Sequence, residues 1–209
     1  MSKSSNDRRT IRTKEMIRKA LSELIQEKGF NDISITDLTT RANINRGTFY
    51  LHYMDKYDLL EQVENEVMQE LYEKIKIIDS TDFMNIDAIR EPMPFVIKIF
   101  EYFKENSMLM KGILGPKGDS KFQAKIKKFM ETTIFEKKLI KTFNPENMLI
   151  PKNYFVSYII SAHLGVLQQW LENGMEESPE EMAAILSKMF LLGPLKVVGL
   201  NNKIHLSDD

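Results

Sequence analysis

Cysteine is absent from this 209-residue chain, which removes disulfides, thiolate metal sites, iron–sulfur ligation and cysteine nucleophiles together. Histidine is scarce. His52, His163 and His205 are the only three, too few for a multi-histidine metal centre, and neither metal nor cofactor is expected. No apolar run, residues 189–192 being among the longest, approaches the ~18 residues that cross a bilayer. The polar, charged N-terminus lacks the apolar region of a secretion signal, so a cytoplasmic protein with no membrane partner is expected. Nine Gly and seven Pro exclude collagen-like and Pro/Gly-rich disordered chains. What remains, 43% apolar and 28% charged residues, suits one large globular domain or two small ones.

The net charge of −1 hides an asymmetry. Residues 1–60 carry 11 Lys and Arg against 8 Asp and Glu, and the rest carries 18 against 22. Seven of the basic residues fall within the first twenty positions. A basic end on a near-neutral protein suits either an anionic partner or a solvated tail.

Helical spacing recurs along the chain and no segment alternates as a strand would. Ile17, Ala20, Leu21, Leu24 and Ile25 form one helical face, with Thr10 or Thr13 as the expected cap and Gly29 as the stop. Ser34, with Asp37 three residues on, opens a second helix that must be short, because Asn43 suits a left-handed turn. Asn45 caps a third, and Asp55 begins a fourth that runs to about residue 78. Further helices are predicted from Pro92 and Pro94 to 106, over 107–114, 120–142 and 152–173, and from Ser178-Pro179 to about 192. The Gly-rich stretch 115–120 is a helix–helix break. It follows no strand and no Gly-Lys-Ser/Thr closes it, so it is not a phosphate loop. The fold class is therefore all-α, about nine helices, with a three-helix N-terminal unit (1–54) and a larger helical domain (55–209).

Helices two and three have the proportions of a helix-turn-helix, in which the second helix enters the DNA major groove, N-terminal end inward. That end here is Asn45, Arg46, Gly47 and Thr48. Arg46 can bond a guanine edge bidentately, Thr48 can meet a base edge or phosphate, and Gly47 allows close approach of the backbone. Tyr50, His52, Tyr53 and Lys56 carry groups that contact phosphates. The expected DNA-binding set is Ser34, Thr36, Asn45, Arg46, Gly47, Thr48, Tyr50, His52 and Lys56.

The string SITDLTTRANINRGTFYLHYMDKYDLL, residues 34–60, resembles the DNA-binding signature of TetR/AcrR-type transcriptional regulators, and the preceding EKGF at 27–30 also matches. The resemblance implies Ser34 as cap, Ile35, Leu38, Ala42 and Ile44 as core, and Gly47, Thr48, Tyr50 and Lys56 near DNA. Three positions depart from it: Asn43 stands for the usual Gly, Thr39 for the usual Ala, and Leu51 for a residue more often polar. More weakly, residues 112–122 and 170–183 resemble segments in one subgroup of this family's effector domains. The family then implies a homodimer built on the last two helices and an inducer pocket among the preceding ones.

The residues of the second domain fit that division. Helix 152–173 is apolar nearly all round, with Ser157, Ser161 and Gly165 as a narrow small-residue stripe where another backbone can approach. A plain core helix is the alternative. Ser157, Ser161, Gly165, Gln168, Ile185 and Met189 are the expected dimer contacts. A small hydrophobic or aromatic effector is expected among Phe100, Phe103, Met110, Phe122, Ile126, Phe129, Phe155, Ile159 and Trp170, with Tyr102, Tyr158 and His163 as polar anchors. The competing reading is that these rings fill a solid core. Thirteen Met suit either. Glu176, Glu177, Glu180 and Glu181 read as helix-dipole partners, and Lys121, Lys125, Lys127 and Lys128 as a solvated face. No nucleophile–base–acid set stands at motif spacing, so no enzyme is expected. The expected function is a homodimeric repressor that binds double-stranded operator DNA and is released by a small hydrophobic ligand. A coactivator or adaptor of the same fold, acting through a protein partner, is the alternative.

Overall fold

The computed structural model describes residues 3–76, 92, 94–115, 120–136 and 148–199. The expected extension of the fourth helix to 78, the loop at 80–85, residues 116–119, the end of the 120–142 helix and the C-terminal residues 200–209 lie outside them. Nine α-helices and no strand occur among the described residues. They are α1 (Lys3–Lys28), α2 (Ile35–Arg41), α3 (Arg46–Tyr50), α4 (Lys56–Ile75), α5 (Pro94–Glu105), α6 (Ser107–Leu114), α7 (Ser120–Glu136), α8 (Lys152–Glu172) and α9 (Pro179–Val197).

Most ends follow from capping chemistry. Ser178 and Glu181 form a reciprocal capping box with Pro179 at the first helical position, as the sequence predicts. Gly29 turns α1 off with φ 81°, a left-handed conformation that costs glycine nothing. One expectation is corrected. No glycine or proline interrupts residues 3–28, so α1 starts at Lys3. Thr13 lies inside it, its hydroxyl donating to the Arg9 carbonyl at 2.9 Å instead of capping. At the other end of the chain the helix from Pro179 does break where the sequence predicts: Gly193 leaves helical geometry (φ 71°, ψ 164°), and Pro194 starts a further turn that carries α9 on to Val197.

One contiguous apolar core runs from the N-terminal trio into the second domain, from Ile17, Leu21, Leu38 and Phe49 through Leu59 and Val63 to Phe100, Phe122 and Trp170. Three contacts tie the halves directly. Arg18 of α1 reaches Glu66 of α4 at 3.3 Å. Gly112 of α6 lies so close to α1 that a Cβ there would sit 3.3 Å from the Ser22 carbonyl oxygen. Gln26 of α1 also donates to the Met108 carbonyl at 2.8 Å. The Gly112 contact makes a prediction. Gly112→Leu should force α1 and α6 apart and cost about 1–3 kcal/mol, read as a lower thermal midpoint. An unchanged midpoint would contradict that packing.

Candidate nucleic-acid interface

The N-terminal trio is held by short-range polar chemistry. Ser34 caps α2 in a box with Asp37: the Asp37 amide donates to Ser34 Oγ at 3.1 Å, and the Ser34 amide donates to Asp37 Oδ2 at 2.8 Å. Lys28 Nζ lies 2.7 Å from the same carboxylate. That ammonium first, then the Ser34 hydroxyl and amide, hold the Asp37 carboxyl far below the usual carboxylate range. Arg41, at the end of α2, returns to α1 as a fork on Glu27 (2.7 and 2.8 Å) with Glu23 at 3.1 Å. Its guanidinium is therefore engaged within the fold.

Between the two short helices Asn43 adopts φ 53°, the left-handed turn expected of it. Ile44 then donates to the Thr39 carbonyl at 3.0 Å. Thr39 is buried, and its hydroxyl is satisfied by the Ile35 carbonyl at 2.9 Å. The larger side chain is accommodated. Asn45 caps α3 by accepting from the Thr48 amide at 2.7 Å. The short α3 is anchored by fully buried Phe49, which packs edge-on against Tyr50 and tilted against buried Tyr53, both at 5.6 Å.

This anchoring leaves the opposite face of α3 to solvent. Arg46, Gly47, Tyr50 and Leu51 are exposed, Thr48 and His52 half-buried, and Ser34 and Thr36 exposed at the start of α2. Arg46 has no ion-pair partner among the described residues. The early start of α1 also sets Arg8, Arg9 and Arg12, all exposed, on a helix instead of an irregular tail. Sequence reasoning counted these arginines but missed that placement. The unbroken run of residues 3–28 was the available signal.

Lys56 differs from expectation. Its ammonium donates to the carbonyls of Phe30 (3.2 Å), Asn31 (2.8 Å) and Ile33 (2.8 Å), and lies 5.1 and 5.3 Å from the Phe30 and Tyr57 ring centres. An ammonium has three donors, and all three close the α1–α2 turn onto the start of α4. Lys56→Met should therefore cost about 1–3 kcal/mol of stability and leave the salt dependence of DNA binding unaltered. A lower salt slope with an unchanged melting temperature would instead make Lys56 a phosphate contact.

The expected effector residues are placed differently from one another. Phe100, Tyr102, Phe103, Met110, Phe122, Ile126 and Trp170 are buried in the core, with Phe100 edge-on to Trp170 at 5.1 Å. Trp170 Nε1 donates to the Glu177 carbonyl at 3.2 Å. Phe129, Phe155, Ile159 and His163 are half-buried, and Tyr158 faces solvent. Two clefts lie nearby. One, of about 150 Å³, is lined by Lys111, Leu114, Gly115, Gln168, Leu171 and Glu172. The other, about 510 Å³, runs along α7 past Lys121, Ala124, Lys125, Lys128 and Phe129. Phe129 alone of the twelve lines either one. Here the rings pack on each other, because edge-to-face pairs and complete burial stabilise them better than an open cavity does.

On α8, Ser157, Ser161 and Gly165 are exposed along one line, and no atom of the described residues beyond its own stretch of helix lies within 4 Å of a Cβ built at Gly165. Ile185 is exposed and Met189 half-buried on α9, whereas Gln168 turns inward and donates to the Leu114 carbonyl at 2.9 Å. His163 bonds the Ile159 carbonyl through Nδ1 at 2.7 Å and stands edge-on to Phe190. Burial pushes its pKa below the ordinary imidazole value, so the ring is neutral near pH 7. A depressed histidine pKa means the unfolded chain takes up the proton first. Stability should thus fall as pH drops through about 6.5, and His163→Gln should flatten that dependence in melts from pH 7.5 to 5. An equal slope in both proteins would show that another group carries it.

Comparisons with known proteins agree with this geometry. Residues 17–63 match the model of bacterial regulatory proteins of the tetR family, and residues 90–191 match that of a TetR-type transcriptional regulator C-terminal region. The activator of the dhaKLM operon DhaS, from Lactococcus lactis, is 31% identical over 78 residues, 37% of this chain and 39% of that protein. The matched part spans about a quarter to two fifths of the curated relatives' length. Among solved structures, a TetR transcriptional regulator from Streptococcus agalactiae superposes with a TM-score of 0.61 at 20% identity, covering 90% of this chain and 98% of that one. FadR from Bacillus subtilis, solved with stearoyl-CoA, gives 0.58 at 14% identity over 86% and 98%. With both family models matched along a capped helix-turn-helix and the helical body that carries it, the chain belongs to the TetR family of DNA-binding transcriptional regulators.

Proposed function

We propose that this chain works as a homodimeric repressor whose two α3 helices read the halves of a near-palindromic operator and which a small hydrophobic ligand releases. The observation that carries the reading is the exposed Arg46–Gly47–Thr48 end of α3, held by the Asn45 cap and the buried Phe49. Two-fold pairing through the exposed α8 stripe supports a palindromic site. Two ties then connect sensing to reading: α1 against α6 at Gly112, and α4 to α7 through Glu64 and Lys125, 2.5 Å apart. A ligand that opens the ring-filled core, or fills the α7 cleft, would act on both. The Bacillus FadR structure, solved with an acyl-CoA, supports a hydrophobic effector by fold likeness.

Arg46→Ala tests the reading. It should cost about 1–3 kcal/mol on the operator and relax preference at one base pair, with little loss on random DNA. Equal loss on both would make Arg46 a phosphate contact. Trp170 reports on the ligand: lipophilic compounds that release the operator should alter its fluorescence. DNA binding insensitive to every compound would remove the effector.

A second reading, activation through a protein partner, is favoured by the likeness to an operon activator. Transcription from the cognate promoter with purified polymerase separates them: repression lowers the transcript and activation raises it.

A further inference from the structure

Leu51 is the most exposed large hydrophobic side chain of the recognition segment, at 81%, and the DNA-reading role just proposed leaves it unused. Its direction is fixed by the helix. The Leu51 amide donates to the Gly47 carbonyl at 3.2 Å and its backbone stays helical (φ −72°, ψ −18°). At about 100° per residue, Leu51 stands about 200° round from the buried anchor Phe49, pointing directly away from the core. Gly47, one turn earlier, lies about 40° from it on the same outward line. A Cβ at Gly47 would meet only Asn45 Oδ1, at 3.3 Å. The outermost line of α3 is therefore a bare backbone followed by an isobutyl group.

A leucine there offers no hydrogen bond to a base edge or a phosphate. Of the groups that line a major groove, the one it can match is the 5-methyl of thymine, since every other distinguishing feature is a donor or an acceptor. The absent side chain at Gly47 lets the helix approach closely enough for the leucine to reach it. We propose that Leu51 is a specificity-determining residue that selects thymine at one position of each operator half-site by apolar contact with its methyl group.

The inference rests on α3 being the DNA-reading helix, and the test separates the two. An operator selected by the wild-type protein is made with deoxyuridine in place of each thymine in turn, which removes one methyl and leaves base pairing intact. At one position per half-site the wild type should bind about 3–5-fold more weakly, the worth of one buried methyl group. Leu51→Ala, a change at an exposed site, should keep the melting temperature, bind the thymine operator more weakly and lose the deoxyuridine sensitivity. Leu51→Ile should retain it. Wild-type binding indifferent to every deoxyuridine, or sensitivity undiminished in Leu51→Ala, overturns the inference while α3 remains the reader. If the wild type selects no duplex at all, the reading itself fails and the inference with it.

Discussion

Gly165→Glu and Ser161→Glu are each expected to yield folded monomers that have lost tight operator binding. Both positions are exposed, and among the described residues nothing beyond its own helix stands within 4 Å of a Cβ at Gly165, so a glutamate can point to solvent within one protomer. In a dimer formed across this stripe the same carboxylate would be buried against its own symmetry mate. Burying unpaired like charges costs several kcal/mol, and two-fold symmetry counts that cost twice. Sedimentation should show half the wild-type mass, with unchanged helical circular dichroism. DNA binding should fall by orders of magnitude, because two linked recognition helices gain effective concentration that a single one lacks. An intact dimer in both variants would place the interface on another surface.

Breaking the Glu64–Lys125 pair should have the next largest effect. Glu64 is 2% exposed on α4, and its Oε2 lies 2.5 Å from the Lys125 ammonium on α7. Lys125→Met takes this cation away from a carboxylate in the core, which costs about 3 kcal/mol. The half-exposed lysine moderates this figure, since water screens part of the pair. Glu64→Gln in the Lys125→Met background should recover much of the loss. A double-mutant cycle by chemical denaturation reads the coupling directly. Additive losses would show that the pair contributes nothing to tying α4 to α7.

Local chemistry explains what was legible in advance. Ser34–Asp37, Asn43, Asn45, Asp55 and Ser178–Glu181 act within four residues of themselves, so their roles could be read from spacing. Residues whose partners lie far along the chain could not. Lys56 looks like a phosphate contact until the fold brings the carbonyls of Phe30, Asn31 and Ile33 to it, more than twenty residues away. The stripe of α8 predicts exposed Ser157, Ser161 and Gly165, but Gln168 on the same helix finds Leu114, fifty-four positions away. Among the core aromatics, periodicity predicts an inward Phe122, and Phe100 and Trp170 are expected with it around an effector. Whether they enclose a hole depends on packing in three dimensions, which a sequence pattern does not encode.

The central claim is that the exposed face of α3 reads a two-fold-related DNA sequence. Selection from a random duplex library, with the wild type and Arg46→Ala run side by side, tests it most directly. The account predicts that the wild type enriches one near-palindromic sequence whose half-sites lie about 10 base pairs apart or a multiple of that, and that Arg46→Ala relaxes one position in each half. Enrichment of no sequence by the wild type, with binding that depends on salt alone, would contradict it.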